Sequence, residues 1–155
     1  MLYAALKTLH LVSIIVWVGG MVFAHFYLRP AVAGLNPPER LRLMNDVLGR
    51  FFRDVLGAAL ITLATGLWMI GRIAKATVQA GGQFSMPLDW TLMSLLGSVM
   101  VIIFLVIRFR FYPQLARSVA DQSWQSAGAA LARIRSMVSL NLALGTFIVV
   151  FTLLY

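Results

Sequence analysis

The chain has 155 residues, 61% of them hydrophobic and only 12% charged, with a mean hydropathy of +0.88 and a formal net charge of +8. Ordinary soluble domains are about half apolar and about a quarter charged, so this composition describes an integral membrane protein. The absence of cysteine excludes disulfides, thiolate metal sites and cysteine nucleophiles. The basic residues stand at the ends of apolar runs rather than on one polar face, which argues against nucleic acid and for membrane topology and lipid headgroups.

A spanning helix needs about 20 mainly apolar residues, and four stretches reach that length, at about 3–28, 53–74, 88–111 and 136–155. The expected fold is all-α: one transmembrane domain over residues 1–155, built as an integral membrane four-helix bundle. The first stretch carries both histidines, His10 and His25. Ala31-Val32-Ala33 has the form of a signal-peptide cleavage site, but the apolar run before it exceeds an h-region of about 7–15 residues. Arg29-Pro30 also intervenes, so the stretch is kept as a helix. Pro30 is expected to end that helix, because proline supplies no amide proton and restricts its predecessor. Gly34-Leu35-Asn36-Pro37-Pro38 reads as a turn.

From Glu39 to Asp54, apolar residues fall at 41, 44, 47, 48, 51 and 52, opposite a charged face. This spacing predicts an amphipathic cytoplasmic segment over about 39–54, lying in the interface or extending the second helix. Ala58, Thr62 and Gly66 then form a stripe of small residues on the second helix, suited to close approach by a neighbour. Gly81 to Pro87 breaks the chain before the third helix, and 113–126 is expected to be the last connection. Helical text resumes near Ala127, with Arg133 and Arg135 at the entry of the fourth helix.

Of the 13 lysines and arginines, only Lys7, Arg72 and Lys75 lie on the side of the termini and the second connection. The rest flank the first and third connections, so the positive-inside rule predicts an N-out, C-out topology. Tyr3, Trp68, Trp90 and Tyr155 then fall at the outer boundary as an aromatic belt.

Imidazole is costly in hydrocarbon and normally has a partner or ligand there, which makes His10 the first candidate for function. Counting about 1.5 Å per residue from the outer end puts His10, Met69 and Met93 in one layer about 8–10 Å deep. Met86 and Met100 are near enough to join them. Thioether and imidazole suit Cu(I), and a His/Met pair is also an axial set for haem iron. The structural alternatives are methionine as flexible core filler and a histidine hydrogen-bonded to a neighbouring helix.

His25 lies about 22 Å further along the same helix, too far to share a metal with His10, and beside Tyr27 and Arg29 it reads as a hydrated structural residue. Asn141 is expected to hydrogen-bond across the bundle or to support a bound group. Trp17, Gly19 and Gly20 would let either a helix or a flat macrocycle come close. No acidic pair falls inside a span and no serine has histidine-acid company at a supporting spacing, which argues against hydrolase chemistry.

Leu9-His10-Leu11, then Val16-Trp17-Val18-Gly19-Gly20-Met21 and Leu28-Arg29-Pro30-Ala31, resembles the opening helix of the copper-resistance D (CopD) family of bacterial inner-membrane proteins. Supporting text is Gly49-Arg50-Phe51-Phe52, Ala64-Thr65-Gly66-Leu67-Trp68-Met69, Arg133-Ile134-Arg135 and Asn141-Leu142-Ala143-Leu144-Gly145. The resemblance implies a multi-pass protein of the bacterial inner (plasma) membrane that binds or passes copper near the periplasmic face. A homo-oligomer or a periplasmic metal carrier would be the partners, besides the lipid bilayer. The first helix is also similar to that of HemJ-type four-helix haem proteins, which implies the alternative of a membrane oxidoreductase holding haem b. Only His10 matches the histidine common to both patterns. A third reading is a non-catalytic helper subunit of a larger membrane complex.

Overall fold

The computed structural model describes residues 1–154; Tyr155, expected in the outer aromatic belt, lies outside the described residues. The described residues form four helices long and apolar enough to cross a membrane: α1 (Leu2–Ala31), α2 (Pro37–Gln79), α3 (Leu88–Ala120) and α4 (Trp124–Leu154). They run alternately up and down. The hairpin pairs α1–α2 and α3–α4 pack most extensively, and α4 closes the bundle against α1 and α2.

Local chemistry explains where α2 begins and how far it runs. Asn36 caps it, its Oδ1 accepting the Glu39 amide at 3.1 Å, while Pro37 and Pro38 occupy first-turn positions that need no donor. From there 43 residues continue unbroken. The segment at 39–54 is therefore not a separate interfacial helix but the first third of α2. At about 1.5 Å per residue α2 spans about 65 Å, twice the hydrocarbon thickness, so one end projects beyond the membrane.

Two prolines lie inside helices: Pro30, expected to end the first, and Pro113, at the start of the expected last connection. In α1 a π-helical turn over Ala24–Leu28 has the Arg29 amide bonding to the Ala24 carbonyl, and in α3 a matching turn over Ile107–Phe111 has Tyr112 bonding to Ile107. Pro30 and Pro113 follow one residue later. A proline clashes with the carbonyl four residues back and cannot donate to it. One extra residue in the preceding turn widens the helix and moves that carbonyl aside. Hence α1 reaches Ala31 and α3 reaches Ala120, and the connection expected over 113–126 shrinks to Asp121-Gln122-Ser123, with Gln122 at φ 56°. The fourth helix correspondingly starts at Trp124, three residues before the expected resumption of helical text near Ala127 and well ahead of the apolar span at 136.

Packing is uneven along the bundle. In the half rich in arginine, Leu41, Met44, Leu48 and Phe52 of α2 are buried against Leu115 of α3 and Ala127, Leu131 and Ile134 of α4. Above them an aromatic ladder crosses the bundle edge to face, Trp17 to Phe104 at 6.0 Å, Phe104 to Phe52 at 6.1 Å and Phe52 to Tyr112 at 5.6 Å. Edge-to-face pairs of this kind contribute about 0.5–1.5 kcal/mol beyond burial. The opposite half is looser and encloses a cavity. Outward-facing Leu9, Val12, Ile15, Leu67 and Ile102 are exposed on the bundle surface, where they meet lipid tails.

Candidate functional site

The cavity has a volume of about 110 Å³ and takes its walls from all four helices. α1 supplies His10, Ile14 and Trp17; α2 supplies Thr62 and Gly66; α3 supplies Met93, Ser94, Gly97 and Met100; α4 supplies Gly145 and Ile148. A single water needs about 10–15 Å³ on this measure, so there is room for an ion with part of a hydration shell.

His10 is 8% exposed and is held from α2. Its Nδ1 lies 3.0 Å from Thr65 Oγ1, and the Thr65 hydroxyl itself donates to the Ile61 carbonyl at 2.6 Å. A hydroxyl has one proton. With that proton directed to Ile61, Thr65 accepts from His10, so Nδ1 carries the ring hydrogen and Nε2 keeps its lone pair. Gly66 completes the cradle: a Cβ there would lie 3.2 Å from His10 Cε1, closer than ordinary contact. The small-residue stripe of α2 thus seats an imidazole ring.

Met93 and Met100 share the cavity with His10, as the depth count anticipated for Met93. Met69 does not line it. Rise along a helix gives depth and not direction, and Met69 is rotated onto a neighbouring, half-buried face. Trp17 closes the inner end of the cavity, stacked edge to face on Phe104. Gly20 lies below that closure, and a Cβ on it would overlap the Phe51 ring, so the close approach it permits is used by α2. Asn141, 1% exposed, is outside the lining; its Nδ2 donates to the Met100 carbonyl at 3.1 Å and so ties α4 to the turn carrying Met100.

Thr65 is the residue that sequence reasoning missed. Its signal was its place beside Gly66 on the face presented to α1. His25 sits in the other half of the protein, its Nδ1 3.3 Å from Ser139 Oγ, and lines a different, smaller cavity.

The donor set decides what the cavity suits. Among the described residues no three of His, Cys, Asp or Glu cluster to hold a metal. One imidazole with two thioethers remains, a soft set matched to Cu(I) and poor for hard divalent ions. Gly20, the glycine that would seat a flat macrocycle, lies outside the cavity and is covered by the Phe51 ring.

Residues 45–155 match the family model described as copper resistance protein D (CopD). No curated protein and no solved structure matches the chain. The matched span contains Thr65, Met93, Met100 and Asn141, while α1 with His10 precedes it.

Proposed function

The chain belongs to the copper resistance protein D family and forms a multi-pass membrane protein, and from that premise we propose that the cavity between its four helices binds Cu(I) as cargo. His10 Nε2 and the thioethers of Met93 and Met100 are the ligands. The observation that carries this reading is the Nδ1 hydrogen bond to Thr65, which leaves Nε2 as the lone-pair nitrogen of a ring lining the same cavity as two methionines. Metal-binding histidines almost always donate their other ring N–H in this way.

The arginine-rich end faces the cytoplasm of a bacterial inner membrane, so the cavity opens toward the periplasmic side, N-out and C-out. Trp17 and Phe104 stack at its inner end, an arrangement suited to retaining an ion rather than passing it. X-ray absorption of the Cu(I)-loaded protein tests the ligand set. A mixed nitrogen and sulfur shell is expected, and a shell without sulfur would contradict it. A haem-replete preparation is expected to lack a Soret band.

A further inference from the structure

The smaller cavity belongs to the opposite half of the bundle, apart from the proposed copper site. Its polar lining is His25, Arg29 and Arg135; Met44, Leu48 and Ile134 supply apolar wall, and no carboxylate contributes. The π-helical turn of α1 carries His25 into this position, where its Nδ1 meets Ser139 of α4. Arg135 Nε is buried without a hydrogen-bond partner, and Arg29 and Arg40 are near enough to repel its charge. A buried guanidinium N–H with no acceptor, surrounded by like charge, is costly unless an anion completes it.

Depth identifies the class of anion. Arg135 lies 19 residues from the outer end of α4, which is about 29 Å of helix and close to the full hydrocarbon thickness of about 30 Å. That is the level of the headgroup phosphates in the inner leaflet. We propose that His25, Arg29 and Arg135 form a phosphate-binding cradle at the cytoplasmic boundary, occupied by the phosphodiester of an anionic lipid. Arginine's planar fork matches two phosphate oxygens, and the His25 ring adds a third polar contact. The bound headgroup ties α1 to α4 beneath the copper cavity.

The test uses the full chain, delipidated in neutral detergent, with thermal unfolding followed in the presence of phosphatidylglycerol, diacylglycerol or inorganic phosphate. Phosphatidylglycerol is expected to raise the midpoint and diacylglycerol, which lacks phosphate, to leave it unchanged. Arg29→Gln, on an exposed residue, and Arg135→Lys, which keeps the charge but loses Nε, are each expected to require about tenfold more phosphatidylglycerol. Arg117→Gln, at the same end but outside the cradle, is expected to behave as wild type. Stabilisation by inorganic phosphate alone, lost in the same two variants, would support the cradle and make free phosphate its occupant. Equal response of wild type, Arg29→Gln and Arg135→Lys, or no response to any phosphate-bearing probe, overturns the proposal.

Discussion

His10 Nδ1 lies 3.0 Å from Thr65 Oγ1, and this bond joins α1 to α2 in the looser half of the bundle. With the Thr65 proton on the Ile61 carbonyl, it leaves Nε2 as the imidazole nitrogen free to bind. Replacing Thr65 by valine keeps the shape and removes the acceptor. Copper affinity is expected to fall about 10–100-fold, the usual cost of losing a partner that orients a ligand. Thr65→Ser, which restores the hydroxyl, is expected to bind nearly as wild type. Competition against a chromophoric Cu(I) chelator measures both, and equal affinities for wild type and Thr65→Val would remove the hydrogen bond from the account.

The methionines separate by position. Met93 and Met100 line the cavity and Met69 does not. Leucine has nearly the volume of methionine but no sulfur, so Met93→Leu and Met100→Leu are each expected to weaken Cu(I) binding by at least about tenfold. Met69→Leu is expected to leave it unchanged. The same chelator titration would contradict the assignment if the three variants behaved alike.

The apolar runs made the four spans legible, because length and hydropathy alone decide whether a helix can cross a bilayer. His10 was legible for a related reason: a lone imidazole at that depth has to be satisfied. What sequence could not supply was rotation about the helix axis, so Met69 and Met93 looked equivalent. The two prolines misled more seriously. Pro30 and Pro113 carry every local sign of a stop, and only the wide turns before them, at Ala24–Leu28 and Ile107–Phe111, allow both helices to continue. The residues that most specifically resemble CopD lie in the first helix, whereas the family match covers residues 45–155. The lower half of the protein is longer than the apolar runs indicate, since its helices there are amphipathic and bury only one face.

Filling the cavity separates binding from folding. A Cβ at Gly97 would meet nothing within 4 Å, so Gly97→Val adds bulk to open space. Its copper capacity is expected to fall, while stability holds or rises by about 0.5–2 kcal/mol, as cavity-filling changes commonly do. Metal stoichiometry and the thermal midpoint, measured on one preparation, check both halves of this expectation.

Stability is expected to follow the uneven packing. Ile134 is 1% exposed and borders only the smaller cavity, of about 30 Å³, whereas Ile148 borders the larger one, of about 110 Å³, and is half-buried. Ile134→Ala should cost about 2–5 kcal/mol, the range for large-to-small changes at buried core positions. Ile148→Ala should cost clearly less. Unfolding in a graded denaturing detergent ranks the two.

The most direct measurement is the Cu(I) stoichiometry of the detergent-purified protein, with His10→Ala and His25→Ala set beside wild type. One tightly bound Cu(I) is expected in wild type and in His25→Ala, and none in His10→Ala. A His10→Ala protein that retains wild-type stoichiometry and affinity would show that copper is not held at His10.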